Sequence, residues 1–221
     1  MRTRFTDRRE AGRVLGEALA AIHPLDPLVL ALPRGGVPVA YEAAAVLECP
    51  LDVLVVRKLG VPFQPELAMG AISEGGTVIR NLEVIAAAGV DERSFARVAE
   101  MQRAELDRRV AAYRRAAAPL DPEGMTAIIV DDGLATGSTA LAGVEVARAK
   151  NAARVWLAVP VAPLETAEAM EAIADRVVVL ETPRFFGAVG AWYRDFSQTS
   201  DEEVRTLLAD ARYGDRPGDE R

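Results

Sequence analysis

The chain has 221 residues, of which 50% are hydrophobic and 27% charged, and its formal net charge is −7 at pH 7. This length predicts one domain with a substantial core. No apolar run approaches the ~20 residues that cross a bilayer. The acidic net charge argues against broad non-specific binding to nucleic acid. The single cysteine, Cys49, excludes a disulfide framework, and the charged start of the chain does not resemble a signal peptide, so a cytoplasmic location is expected.

The N-terminal half of the chain alternates segments typical of helices with short apolar segments typical of strands. Capping residues and apolar spacing predict a helix from Thr6 or Asp7 to about Ile22, a strand over 28–32, a helix over 37–47 and a strand over 53–56. A Gly- and Pro-rich irregular loop over 59–67 should follow, and then a β-hairpin that pairs 69–73 with 77–80. Two helices complete this half, one from Asn81 or Leu82 to Ala88 and one from Asp91 to about Arg115.

The C-terminal half repeats the alternation. It predicts a strand ending at Val130, a helix to about Lys150, a strand over 155–161, a helix over 165–174, a strand over 177–180 and a last helix, capped by Ser200 and Glu203, that ends near Ala211. Most of these strands are apolar throughout, which is typical of a parallel sheet covered on both faces. We predict an α/β fold with a central, mostly parallel, twisted sheet and helices on both faces, built as one domain over 1–212 and followed by a polar, disordered tail over 213–221.

The segment 127–139, with the sequence AIIVDDGLATGST, carries the strongest chemical signal. Two adjacent carboxylates, Asp131 and Asp132, follow a buried strand, where they must meet hydroxyls, a metal or water. The loop after them leads into a helix, whose first backbone N–H groups favour an anion. It has no Lys before its Ser and Thr, as a P-loop would, and its acids precede the glycines, unlike a dinucleotide fingerprint. The pattern outlines a ribose-5-phosphate site; the alternative is a strand-end turn with solvated acids and an ordinary helix cap.

This segment resembles the signature of type I phosphoribosyltransferases, which bind 5-phosphoribosyl-1-pyrophosphate (PRPP). The resemblance implies that Asp131 and Asp132 hold the ribose 2′- and 3′-hydroxyls and contact Mg²⁺ indirectly, through PRPP and water. It also implies that the following loop wraps the 5′-phosphate, with Ala135, Thr136, Gly137, Ser138 and Thr139 as its binding residues. A flexible loop beside the small hairpin and a terminal hood segment, which would cover the site, belong to the same implied fold.

Two further loops follow predicted strands, and ligands of parallel α/β sheets bind at the carboxyl ends of the strands. In the first, Arg34 offers a bidentate donor for phosphate, and Gly35 and Gly36 allow close backbone approach. By the resemblance this is the pyrophosphate loop, and the Pro33–Arg34 peptide bond is the position where a cis peptide is expected. The alternative is a turn with a solvated Arg.

The second loop begins with Arg57 and Lys58, a cationic pair that a buried strand end would not tolerate without anions or solvent. The run RKLGVP resembles a segment of some purine phosphoribosyltransferases, which implies that both cations approach the pyrophosphate and that 60–68 closes as a lid. The alternative is a solvent-facing basic pair. Glu66, within that lid, is expected to be a surface carboxylate, and His23 is expected at the surface as well.

The resemblance implies transfer of the phosphoribosyl group from PRPP to a nitrogenous base or related small acceptor, with release of pyrophosphate. Asp131, Asp132, Arg34 and Lys58 would carry the chemistry. The acceptor stays open: Ala135 replaces the Asp that commonly serves as base in enzymes for 6-oxopurines. Alternatives are a PRPP-sensing regulator without turnover and a hydrolase that uses water. A homodimer is compatible with this interpretation.

The acceptor is expected near the loop after Val161 and a cluster of aromatic residues, Phe185, Phe186, Trp192 and Tyr193. These rings either stack on a planar base or pack the C-terminal segment against the sheet, and packing is the favoured interpretation. The basic stretch 103–115 is interspersed with acidic residues, so a solvated helical face is predicted for it.

Overall fold

A computed structural model describes residues 4–114 and 118–213. Its elements in chain order are α1 (Arg8–Ala20), β1 (Pro27–Ala31), α2 (Gly36–Leu47), β2 (Leu51–Val53), β3 (Val56–Val61), β4 (Gln64–Ser73), β5 (Val78–Arg80), α3 (Leu82–Ala87), α4 (Glu92–Arg114), β6 (Thr126–Val130), α5 (Ser138–Ala149), β7 (Arg154–Val161), α6 (Leu164–Glu171), β8 (Arg176–Glu181) and α7 (Asp201–Tyr213). The end predicted for the long helix at Arg115 and residues 214–221 of the predicted tail lie outside the described residues.

Five strands form the central sheet in the order β2-β1-β6-β7-β8, and every neighbouring pair is parallel. Alternate residues of β6 enter two separate apolar clusters: Ile128 and Val130 pack toward α1 and α2, whereas Ala127 and Ile129 pack toward α5 and α6. Because successive side chains of a strand point to opposite faces, this division shows helices on both faces of the sheet. The predicted α/β fold is confirmed.

A second, antiparallel sheet is formed by β3, β4 and β5. The predicted hairpin of 69–73 with 77–80 is confirmed, since Gly70 pairs with Arg80 and Ile72 with Val78. The predicted strand over 53–56 was wrong: the chain leaves the central sheet after β2, and β3 begins a new hairpin with β4.

The Gly- and Pro-rich segment 59–67, predicted to be an irregular loop, is also part of that hairpin. Leu59 and Val61 are buried in β3, and a Cβ on Gly60 would lie 2.3 Å from the main-chain oxygen of Pro65. Glycine therefore permits close approach of the two strands, around register shifts on either side of Gly60. The Gly and Pro residues that suggested a loop therefore lie in an irregular pair of strands.

The predicted helix starts are confirmed by their caps. Asp7 accepts a hydrogen bond from the Glu10 amide at 2.8 Å, Asn81 from the Val84 amide at 3.1 Å, and the Ser200 hydroxyl from the Glu203 amide at 3.1 Å. Each side chain satisfies an amide that the helix itself leaves unpaired. Across residues 4–114 and 118–213, no helix combines the length and apolar character that crossing a bilayer requires.

A buried ion cluster joins α4 to both sheets. Arg114 donates to both oxygens of Asp52 at 2.9 Å, forms a short ion pair with Glu74, and donates to the Val53 main-chain oxygen at 2.9 Å. Arg212 of α7 reaches Asp52 at 3.1 Å. The solvated face predicted for 103–115 is therefore wrong at Arg114, which is turned inward because two carboxylates replace its water.

Candidate functional site

The loops that follow β1 and β6 touch each other at the carboxyl ends of their strands. A Cβ built on Gly35 would lie 2.1 Å from Oδ2 of Asp132, and one on Gly36 would lie 2.7 Å from the main-chain oxygen of Val130. Only glycine leaves room for this approach. The structure thus brings the two predicted loops into direct contact, and it contains the expected cis peptide bond between Pro33 and Arg34.

We expect different results from Ala at these two glycines. In Gly35→Ala the clash falls on the end of the Asp132 side chain, which can swing away, so ligand binding should suffer more than folding. In Gly36→Ala the clash falls on main-chain atoms of Val130 and Asp131, so stability should fall by about 1–3 kcal/mol. Urea unfolding of both variants checks the second value; equal stability of Gly36→Ala and the unmodified chain would contradict the close approach.

The two neighbouring carboxylates are enclosed rather than solvated. Oδ1 of Asp131 accepts a hydrogen bond from the Asp132 amide at 2.8 Å, and Arg8 of α1 donates from Nε to Oδ2 of Asp132 at 2.8 Å. Burial, and then the charge of Asp132, raise the pKa of Asp131 well above its ordinary value. Burial also raises the pKa of Asp132, against the opposing effect of Arg8. The sheet thus holds two partly desolvated acids next to each other.

A terminal hood, formed by residues 183–199 with Phe5, covers these acids. Phe5 donates from its amide to the Trp192 main-chain oxygen at 2.8 Å, and its ring lies 5.7 Å from that of Tyr193. The buried Tyr193 hydroxyl donates to the main-chain oxygen of Asp132 at 2.5 Å. This polar contact joins the hood directly to the acidic pair.

The four aromatic side chains of the predicted acceptor region have different environments. Tyr193 is buried, and the indole N–H of Trp192 donates to the Phe186 main-chain oxygen at 3.0 Å, so packing holds for these two. The Phe185 side chain, by contrast, is 86% exposed and does not pack. Tyr193 and Trp192 therefore hold the hood together, whereas Phe185 does not contribute to its packing.

The loop before α5 contains main-chain amides without protein acceptors among the described residues. Gly137 has a φ of 71° and precedes the helix, while the Thr166 hydroxyl fixes the loop by donating to the Ala135 main-chain oxygen at 2.9 Å. Within the described parts of the chain, the amides of Ala135 to Thr139 donate to no protein acceptor. With the hydroxyls of Thr136 and Ser138, which lie 3.3 Å apart, they are donors at a helix start, a position that favours a phosphate.

A cleft of about 520 Å³ opens beside this loop. It brings together cations from the second sheet and α4 with hydroxyls from the start of α5; the polar residues along it are Arg57, Lys58, Gln102, Arg109, Ser138 and Thr139. The carboxylates of Asp131 and Asp132 are not among the described residues that line it. The cleft therefore lies beside the start of α5 and does not include the acidic pair.

The three cations of the cleft have different partners among the described residues, and Arg109 pairs with Glu105 at 2.8 Å. Nε of Arg57 donates to the neutral side chain of Gln102 at 2.9 Å, and the partner of Lys58 is Glu66, at 3.3 Å, whose side chain is 89% exposed. Burial, and then the charge of Arg109, lower the pKa of Arg57. Such crowding of positive charge would be relieved by a bound anion.

Arg34 lies apart from the other predicted cations. Its Nη1 is 3.5 Å from Oδ1 of Asp201, at the start of α7, and both side chains are partly exposed. The neighbouring Pro33 lines the cleft. Arg34 is therefore near the site but oriented toward an acidic residue of the C-terminal helix.

Sequence reasoning missed several residues around the site, chiefly Arg8, Gln102, Arg109, Tyr193 as a hydrogen-bond donor, and Asp201. Each comes from an element distant in sequence; the pair Arg8 and Asp132 is separated by 124 positions. The surface locations predicted for Glu66 and His23 are confirmed.

The site combines an acidic strand end, a loop of unpaired amides and a cationic cleft, and the chain belongs to the phosphoribosyl transferase family. The family model described as "Phosphoribosyl transferase domain" matches residues 2–194 of the chain. Two Mycobacterium tuberculosis proteins are 50% identical to this chain over 204 residues, which are 92% of its length. They are "Putative phosphoribosyl transferase Rv0571c" of strain H37Rv and "Putative phosphoribosyl transferase MT0597" of strain CDC 1551. The chain spans about half the length of these relatives, 46% of each.

A solved structure resembles the whole chain. The crystal structure of TT1426 from Thermus thermophilus is 43% identical, with a TM-score of 0.88, and the similarity covers 93% of this chain and 97% of that one. The central sheet, the second sheet and the hood therefore belong to an arrangement that a natural relative also adopts.

Proposed function

We propose that the protein transfers the phosphoribosyl group of PRPP to a nitrogenous base or a related small acceptor and releases pyrophosphate. The observation that carries this proposal is the juxtaposition of Asp131 and Asp132 with the open amides of 135–139 at one edge of the sheet. A vicinal diol and a phosphate on the same pentose would satisfy both sets at once. Family membership supports the same donor.

The pyrophosphate end of PRPP would lie toward the cations of the cleft. Arg57 and Lys58 lack buried anionic partners among the described residues, and they line the same cavity as Ser138 and Thr139. Arg34 would exchange its 3.5 Å contact with Asp201 for a phosphate oxygen. Closure of the β3–β4 hairpin over the bound sugar remains part of this proposal.

The reaction would break the bond between ribose C1 and the pyrophosphate oxygen and form a bond from C1 to the acceptor nitrogen. The departing oxygen takes the electron pair of the broken bond, so negative charge grows beside Arg34, Arg57 and Lys58 while positive charge grows on the sugar. Asp131 and Asp132 would hold the sugar and balance part of that positive charge. Positioning and electrostatics therefore supply the rate, and no side chain acts as a nucleophile.

Mg²⁺ fits this arrangement as a cation held mainly by the ligand. Mg²⁺ in phosphate sites keeps several water ligands and binds substrate phosphate oxygens, and Asp131 and Asp132 would contact it indirectly, through PRPP and water. No cluster of three or more metal-binding side chains occurs in the described ranges, 4–114 and 118–213. When bound, Mg²⁺ would add positive charge against the pyrophosphate.

The proposal is tested by an assay of pyrophosphate release from PRPP and Mg²⁺ with a panel of acceptors: nucleobases, orotate, nicotinate and ammonia. One acceptor should stimulate release, and Lys58→Met should reduce the rate about 10- to 100-fold, whereas Lys150→Met, at the end of α5, should not. Release without any acceptor would indicate a hydrolase. Tight PRPP binding without release would replace the transferase by a PRPP-sensing regulator.

A further inference from the structure

The interactions of Arg8 suggest a role in the site that no local motif predicts. Its side chain is 11% exposed and that of Asp132 is 14% exposed, so their 2.8 Å contact is largely shielded from water. Such a shielded charge pair is stronger than a surface pair. Arg8 follows the cap residue Asp7 directly and is therefore placed by the start of α1.

Three contacts fix the orientation of the guanidinium group. Besides the bond from Nε to Asp132, Nη1 donates to the Ser197 main-chain oxygen at 2.8 Å, and the group lies 3.8 Å from the centre of the Phe196 ring. A planar guanidinium can lie over a ring while its fixed N–H groups direct two hydrogen bonds, a geometry that the compact ammonium group of Lys does not reproduce. Arg8 thus connects α1, the hood and the acidic pair.

Arg8 bonds to one of the two oxygens of the Asp132 carboxylate. Arg8 donates to Oδ2, the oxygen that also lies nearest to Gly35, and not to Oδ1. A carboxylate oxygen can accept two hydrogen bonds. A ribose hydroxyl can therefore bind Asp132 while Arg8 stays in place, so the ion pair does not have to open for the sugar to enter.

We propose that Arg8 is a positioning residue for the sugar: it holds Asp132 in the orientation that binds a ribose hydroxyl and offsets the charge of two adjacent carboxylates. This inference rests on the proposed function. The guanidinium acts through Asp132 and the hood, without contacting the reacting atoms itself.

The test compares Arg8→Met, Arg8→Lys and a matched control, Arg9→Met, in the full chain. Arg9 is the next residue of α1; among the residues that the structure describes, it forms an ion pair with Glu42 at 2.8 Å and a ring contact with Tyr41. Calorimetry would give the Kd of each variant for PRPP with Mg²⁺ and, separately, for inorganic pyrophosphate with Mg²⁺. Pyrophosphate has no sugar and uses only the cationic part of the site.

Arg8→Met should weaken PRPP binding by 10-fold or more and change the Kd for pyrophosphate less than 2-fold. Arg8→Lys should recover part of the loss, and Arg9→Met should match the unmodified chain. A general loss of folding would weaken the binding of PRPP and pyrophosphate in parallel, and that result would overturn the specific role of Arg8. An Arg8→Met variant that binds PRPP as tightly as the unmodified chain, or more tightly, would overturn it as well.

A double-mutant cycle separates this inference from the proposed function. In an Asp132→Asn background, Arg8→Met should change the Kd for PRPP less than 3-fold, because its partner carboxylate is already gone. Independent effects of the two substitutions would contradict the inference. If the unmodified chain failed to bind PRPP, the proposed function itself would fail; if it bound and Arg8→Met had no effect, only the role of Arg8 would fail.

Discussion

Replacing both Asp131 and Asp132 with Asn is expected to remove the thermal stabilisation that PRPP with Mg²⁺ gives to the protein. A ligand at 100 times its Kd stabilises the folded state by about 2.7 kcal/mol, which corresponds to about 5–10 °C for a chain of this size. Asn preserves the shape of each side chain but loses the charged acceptor that a ribose hydroxyl would use, and charge-assisted hydrogen bonds contribute about 1.5–3 kcal/mol each. The double variant should therefore show a shift below about 1 °C at the same ligand concentration.

Each variant is compared with its own melting temperature without ligand, because the substitutions also change the buried charge. Glu165→Gln/Glu168→Gln is the matched control: it removes two carboxylates from the exposed surface of α6 and should keep the full shift. A full shift in the Asp131→Asn/Asp132→Asn variant would show that the acids do not hold the ligand.

Arg114→Met is expected to cost about 3–5 kcal/mol of folding stability, the loss typical of breaking a buried ion pair from one side. Its side chain is 7% exposed, and its removal leaves Asp52 and Glu74 buried with fewer compensating charges. Asp52 keeps Arg212 as a charge partner in this variant, so its carboxylate is compensated better than that of Glu74. Urea or thermal unfolding measures the loss.

Arg108→Met is the control on the same helix. Arg108 is exposed and pairs with Glu105 at 2.8 Å, so its replacement should change stability by no more than about 0.5 kcal/mol. A loss below about 1 kcal/mol in Arg114→Met would contradict a stabilising role for the cluster. Because α4 also carries Gln102 and Arg109, the loss of Arg114 should loosen the cationic cleft as well as the fold.

The parts of the site that could be predicted from the sequence are those whose chemistry is local. Asp131, Asp132 and the following loop lie within nine positions, and the sheet period and helix start alone place them at one strand end. The position of the glycines after Pro33 could also be predicted, because the carboxyl ends of parallel strands lie at the same edge of a sheet.

Prediction failed where a contact joins distant segments or where one residue type serves two structures. Gly60 and Pro65 suggested a loop, although they permit the close pairing of β3 and β4. Arg114 lies in a charged helical stretch, and no neighbouring residue in the sequence indicates that Asp52 and Glu74 are its buried partners. Arg8 is likewise one arginine among several near the start of the chain until the fold brings it to Asp132.

A crystal structure of the protein with PRPP and Mg²⁺ tests the central claim most directly. We predict ribose hydroxyl oxygens about 2.5–3.0 Å from the carboxylates of Asp131 and Asp132, and the 5′-phosphate about 2.7–3.2 Å from the amides of 135–139. PRPP bound elsewhere on the chain, or bound with its sugar turned away from both acids, would contradict it.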